Sequence, residues 1–218
     1  MADFPPQSPT TLTCFAVREE ARFFQPSLAA ESQIVICVTG IGQQNAAKAV
    51  VEQLARLRPN LVLTCGFAGG LNPKLARGTI LFSADEESSL SSALLELGAV
   101  PARFHCAERI AITVAEKRAI WQSTGADAVE MESGVIRNIC RERGVPGATI
   151  RVISDAADED LPFDFNEMLT PNQDMSYARL ARALIRSPQK IPALLRLHKH
   201  TTSAARRLAE CLHALLGS

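Results

Sequence analysis

Apolar residues in this chain gather into six short runs: "LTCFAV" (12–17), "QIVICVTG" (33–40), "NLVLTCGFAGG" (60–70), "GTILFSAD" (78–85), "DAVEME" (127–132) and "GATIRVISD" (147–155). Runs this short and this continuously apolar predict strands buried on both faces. Between them the pattern changes to a helical period. In "QQNAAKAVVEQLARLRP" (43–59), Ala47, Val50, Val51, Leu54 and Leu57 recur at helical spacing and Arg58-Pro59 marks the stop. "VAEKRAIWQST" (114–124) and "SGVIRNICRERG" (133–144) are two further helix-length segments. Strand alternating with helix predicts an α/β fold, a single-domain three-layer α/β/α sandwich with helices on both faces of a largely parallel or mixed central sheet. The serine-rich stretch 86–103 is short on strand pattern and predicts a loop and a short helix.

The last third reads differently. Between Asp174 and Glu210 there is no acid, while Arg179, Arg182, Arg186, Lys190, Arg196, Lys199, Arg206 and Arg207 recur among leucines and alanines. This predicts a basic amphipathic helical extension over 176–218, interrupted at Pro188 and Pro192 and packed on the same domain as the α/β unit over 12–175.

Composition narrows the function. With 218 residues, 47% of them hydrophobic, the chain can bury one substantial core. Its 23 basic and 23 acidic side chains cancel, so no overall field marks it for nucleic acid. Six widely spaced cysteines without a C-x-x-C pair are expected to be buried free thiols, as in a reducing cytoplasm. The N-terminal "MADFPPQSPTT" has neither the basic nor the apolar region of a leader, and no window approaches the ~20 apolar residues of a membrane span. A cytoplasmic protein is expected, with peripheral contact to the inner face of the membrane left open by the basic tail.

In open α/β sheets, ligands bind outside the carboxyl ends of the strands. Those ends carry "TGIG" (39–42), "CGFAGG" (65–70), "EMES" (130–133) and "ISDAAD" (153–158). The glycines permit close backbone approach to an anion or a sugar hydroxyl, but serve tight turns equally well. No G-K-[ST] follows them and no six-residue dinucleotide fingerprint occurs, which disfavours ATP and NAD enzymes. Glu132 is read either as a helix-start acid or as a ligand-holding carboxylate. Asp155 closes a buried strand, where desolvation favours the protonated form of a carboxylic acid, able to donate a proton. Asp158 and Glu159, farther along the loop, are expected to be solvated. A lone buried guanidinium is costly, so Arg151 is expected to pair with a carboxylate. The four histidines form no zinc-binding motif and no G-x-S-x-G elbow occurs, so neither a metal nor a serine nucleophile is expected.

Together "VTGIGQQNAAKAVVEQL", "PNLVLTCGFAGGLNPKLARGTILFS", "AVEMESGVIRNIC" and "IRVISDAAD" resemble the superfamily of nucleoside phosphorylases and 5'-methylthioadenosine/S-adenosylhomocysteine nucleosidases, over roughly residues 12–165. The tail, with "SPQKIPALLRL", and "EAR" at 20–22 look like the hopanoid-associated branch, similar to enzymes that remove adenine from adenosylhopane. The resemblance implies cleavage of the N-glycosidic bond of an adenine-type nucleoside, without metal or redox cofactor, by a homodimer. It gives Glu132 the ribose hydroxyls, with Met131 against the sugar, and Arg151 the task of buttressing that glutamate. Asp155 would serve purine N7, with Ser154 orienting it, and Cys65, Gly66, Phe67, Ala68 and Gly69 would line the ribose and base. Glu20 would hold or activate the attacking water, its alternative being a solvated first-turn acid. Phosphate stays open as a co-substrate, with Arg18 or Arg22 to offset its charge, although a carboxylate at that place favours water. Phe104, His105 and Ile110 are the candidates for stacking on the base. A non-catalytic nucleoside-binding relative is the alternative from another class.

Overall fold

The structure is a computed structural model and describes residues 9–26 and 33–217; the leaderless reading of the N-terminus concerns mostly residues 1–8, outside this range. Eight strands run in chain order: β1 (Thr10–Phe15), β2 (Gln33–Val38), β3 (Leu61–Gly70), β4 (Ile80–Ala84), β5 (Val100–Pro101), β6 (Phe104–Cys106), β7 (Ala128–Glu130) and β8 (Gly147–Asp155). Seven helices accompany them among the described residues: α1 (Arg18–Ala21), α2 (Gln43–Leu57), α3 (Ser91–Glu96), α4 (Val114–Thr124), α5 (Ser133–Glu142), α6 (Tyr177–Arg186) and α7 (Ile191–Leu216). The strands form one mixed sheet in the order β2-β1-β3-β8-β4-β5, and β7 pairs with the far end of β3 while carrying β6 on its other side. β2, β1, β3 and β8 are parallel, whereas β4 runs antiparallel to β8 and β7 antiparallel to β3.

Strand periodicity sorts the core into two layers. Phe15, Leu63, Cys65, Ile150 and Val152 face α7, whose Ala204, Leu208 and Leu212 join the same cluster with Phe24 and Leu94. The alternate residues Leu12, Cys14 and Val62 face Ala46, Val50 and Leu54 of α2 and Ile136 and Cys140 of α5. The result is helix, sheet, helix, a three-layer sandwich.

Several local expectations are corrected. β2 is an edge strand, not buried on both faces: Ile36 and Val38 are exposed, the latter at 45%. The 86–103 stretch contains, besides a 3-10 turn and α3, the two-residue strand β5, too short for a periodic signal. Pro192 does not interrupt the tail, because it occupies the first turn of α7, where a missing N–H leaves no helical bond unmade. All six cysteines are free, and all but Cys106 are buried. Among the described residues, no helix is long and apolar enough to cross a membrane.

Candidate active site

β1, β3, β7 and β8 all end at one cleft of about 310 Å³, within the range of small-molecule sites (about 300–1,000 Å³). Its lining includes Glu20, Phe67, Ala68, Gly69, Glu130, Met131, Glu132, Ser154 and Asp155. The strand ends therefore bring Glu20 and Asp155, 135 positions apart in the chain, into one cleft.

At the centre, Arg151 is 1% exposed and ringed by carboxylates. Its Nη2 lies 2.7 Å from Glu130 Oε2, 3.7 Å from Glu132 Oε2 and 3.2 Å from Thr64 Oγ1. Burial works against the Arg151 charge, but Glu130, Glu132 and Glu20 outweigh it and hold the guanidinium more firmly charged than usual. Glu130 is its closer partner. That carboxylate also accepts from the Glu132 and Ser133 amides at 3.0 and 2.7 Å and from Ser133 Oγ at 2.8 Å, closing the bend between β7 and α5. Burial alone would push Glu130 up; Arg151 and the Ser133 donors outweigh it, leaving the carboxyl below its ordinary range.

The bend sends Glu132 elsewhere. Glu132 occupies the N-cap position of α5, yet its side chain makes no cap bond and instead accepts from the Gly42 amide, 2.8 Å away at the start of α2. Gly42 can turn that N–H toward the cleft because its φ is +85°, a conformation that favours glycine. Burial pushes the Glu132 carboxyl up to about 7, with Arg151 pulling the other way and Glu130 adding to the rise. This acid is buried, held by one amide, and has its other oxygen 3.7 Å from Arg151.

Glu20 is 5% exposed, so it is not a solvated first-turn acid. It does tie the first turn of α1, since Oε2 accepts from Ala16 and Val17 N–H at 2.8 and 3.2 Å, while Oε1 accepts from Phe67 N–H at 2.8 Å. Burial raises its pKa, against Arg151 and those amides. Gly66 makes this approach possible: a Cβ there would collide with Glu20 Oε1 and Arg151 Nη1.

Asp155 closes β8, with Oδ1 accepting from Ser154 Oγ at 2.6 Å and Oδ2 from Lys117 Nζ at 2.6 Å. Lys117 was not among the residues singled out in the sequence. The available signal was its place three residues after Val114 and three and four before Ile120 and Trp121, on the apolar stripe of α4. Glu159 is not simply solvated either: it accepts from the Ala156 amide at 2.9 Å and pairs with Arg77. Of the three stacking candidates only Ile110 lines the cleft, because Phe104 and His105 sit on β6 away from it; the aromatic rings that line it are Phe67 and Phe165. Cys65 lies beneath, wholly buried in the α7-side core. Among the described residues, no group of histidine, cysteine, aspartate and glutamate side chains could hold a metal ion.

The model of the phosphorylase superfamily matches residues 2–88 and 99–186, most of the chain. The chain belongs to that superfamily. Among similar proteins, the 5'-methylthioadenosine/S-adenosylhomocysteine nucleosidase of Geobacillus thermodenitrificans is 28% identical over 173 residues, 63% of this chain and 72% of its own. That of Actinobacillus succinogenes is 29% identical over 169 residues, 62% of this chain and 74% of its own. In three dimensions the fold matches the native futalosine hydrolase of Helicobacter pylori with a TM-score of 0.70 at 16% identity, covering 96% of this chain and 98% of that one. It matches the Helicobacter pylori 5'-methylthioadenosine/S-adenosylhomocysteine nucleosidase, solved with butyl-thio-DADMe-Immucillin-A, with a TM-score of 0.68 at 17% identity and the same coverage. A phosphorylase-superfamily sandwich is thus common to sequence and fold.

Proposed function

We propose that this protein cleaves the N-glycosidic bond of an adenine-type nucleoside and releases the free base. The observation that carries the reading is the meeting, in one apolar cleft, of three buried acids in different surroundings: Glu20 held by amides, Glu132 beside Arg151, and Asp155 beside Ser154 and Lys117. Loss of the base leaves positive charge on the ribose ring and negative charge on the purine. Glu132 meets the ribose hydroxyls and opposes the sugar cation, with Met131 packed against the ring, while Asp155 delivers a proton to N7 of the leaving base. Phe67, Ala68 and Gly69 form the wall on which sugar and base rest. Arg151 fixes Glu132 through charge and, through Glu130, fixes the bend that presents it.

Water is the nucleophile this cleft favours. Glu20 takes the proton of the attacking water, and the Arg151 charge is already shared among three carboxylates. The cation that lines the cleft, Arg109, is paired with Glu116. A phosphate dianion would meet the buried carboxylates of Glu20 and Glu132, and Arg18, one of the sequence's candidates to offset its charge, lines the adjoining groove and not the cleft itself. The test is the sugar product of a 5'-substituted adenosine: free sugar in phosphate-free buffer supports water attack, and cleavage only with phosphate, yielding a sugar 1-phosphate, overturns it.

The pH dependence follows from Glu132. Below about pH 7 Glu132 is protonated and cannot oppose the ribose cation; burial also raises the Glu20 pKa, and its protonated form cannot take up the water proton. Both acids act in the same direction, so kcat/KM is expected to rise through about pH 7 and level off above it. A profile flat from pH 5.5 to 8.5 would contradict the assignment of Glu132.

The proposal extends to a nucleoside with a large apolar 5' substituent, met at a membrane surface, as the hopanoid resemblance implies. A second groove, continuous with the cleft through Phe165, Met175 and Leu197, is walled by Tyr177, Leu180 and Leu194 of α6 and α7. Beside it Ile185, Ile191 and Leu195 are exposed at 81%, 42% and 62%, among the exposed Arg182, Arg186, Lys190 and Arg196. Apolar side chains bordered by cations suit anionic headgroups. Co-sedimentation with anionic vesicles at low salt is expected, weakening as salt screens it, with none on neutral vesicles. Absence of binding to anionic vesicles would remove the membrane part of the proposal.

A further inference from the structure

Lys117 is 0% exposed and does not line the nucleoside cleft, yet its ammonium group reaches Asp155 from behind. Nζ has three hydrogens and three acceptors: Asp155 Oδ2 at 2.6 Å, the Ala156 carbonyl at 2.8 Å and the Glu159 carbonyl at 2.8 Å. We propose that Lys117 supplies, through Asp155, the proton that the leaving purine takes up at N7. The inference rests on the reading of Asp155 as the acid that serves N7.

The bonding of Nζ suits it to give up one proton without leaving a buried N–H unpaired. In the free protein both Asp155 oxygens are engaged by side chains, Oδ1 by Ser154 Oγ at 2.6 Å and Oδ2 by Lys117 Nζ at 2.6 Å. As the glycosidic C1'–N9 bond breaks, its electron pair goes to the purine; a proton passes from Nζ to Asp155, and Asp155 gives one to N7. Lys117 ends as a neutral amine whose two remaining N–H groups still reach the Ala156 and Glu159 carbonyls and whose lone pair faces Asp155. No buried donor is orphaned by the transfer, which in a desolvated site would otherwise be costly. The lost proton is regained from water. A second cleft of about 240 Å³, lined by Asp155, Glu159, Asp160, Arg196 and His200, also reaches Asp155 and adjoins the first through Leu161 and Leu197.

A structural pin is the competing explanation for a buried lysine, but the turn it touches has other anchors. The Glu159 carboxylate accepts from the Ala156 amide, Arg77 joins Glu159 to His200 on α7, and Asp160 Oδ1 accepts from the Val114 amide at 2.7 Å. The path of residues 155–160 is therefore held without the ammonium group.

The decisive experiment compares two substrates on one preparation of Lys117→Met: an adenine riboside, which needs a proton at N7, and a 7-methylpurine riboside, whose ring already carries the charge. The ratio of the two rates cancels the amount of folded enzyme. Turnover of the adenine riboside is expected to fall at least about tenfold, toward the scale of general-acid loss, while the methylated substrate changes little. If Lys117→Met does not fold, Lys117→Gln carries the same test, since its amide keeps two donors for the carbonyls but has no proton to give. Equal losses on both substrates would reduce Lys117 to a pin, and undiminished turnover of the adenine riboside would remove it from the reaction. Asp155→Asn separates the two levels of argument. If it shows the selective loss and the Lys117 variants do not, only the inference fails; if it shows no selective loss, or if the wild type leaves the methylated riboside intact, the reading of Asp155 fails too.

Discussion

Asp155→Asn is expected to lower turnover of an adenine nucleoside by about 10²-fold or more, with the fold retained. Asparagine keeps the shape at the end of β8 and can still accept from Lys117, but it has no proton to pass on. Because the loss belongs to bond breaking, it should appear mainly in kcat, with KM changing less. Steady-state kinetics paired with a thermal melt checks this. Near-normal turnover in a folded variant would take Asp155 out of the mechanism.

The second large effect is expected from Glu132→Gln. The amide can still reach a ribose hydroxyl and accept from Gly42 N–H, but it brings no negative charge to the developing cation. On the scale of a removed electrostatic contact in a water-poor site, kcat/KM should fall about 10²-fold or more. A 2'-deoxyribonucleoside, which already lacks one hydroxyl contact, should lose less on the substitution than the riboside. The rise of kcat/KM near pH 7 should flatten as well, since the group titrating there is gone. Equal losses for both sugars would return Glu132 to the plain role of an acid at a helix start.

Element by element, what could be read from the chain depended on how local the cause was. α2, α4 and β8 follow from a periodic or continuous apolar pattern, and their observed spans lie within two residues of it. β5 and β6 are two and three residues long and exist through pairing with β4 and β7, so no pattern of their own announces them. The bend after Glu130 is set by Ser133 and by Arg151, 21 residues away, so the spacing of Glu130 and Glu132 does not by itself give their relative direction. The strand-end rule located the cleft because it depends on topology alone. Lys117 escaped it, since a lysine on an apolar helical stripe gains meaning only from the β8 end that packs against it. Phe165 lies on a 3-10 turn outside the regular elements, where no periodicity marks an aromatic residue as a wall of the site.

One measurement tests the central claim most directly. Purified protein is incubated at pH 7.5 with a large molar excess of a 5'-alkylthioadenosine, with and without phosphate, and free adenine is counted against enzyme. The expected result is many equivalents of adenine per enzyme in phosphate-free buffer, with an unphosphorylated sugar as the other product. Nucleoside that binds but stays intact under both conditions would contradict the account, leaving a nucleoside-binding member of the superfamily without the chemistry its acids were assigned.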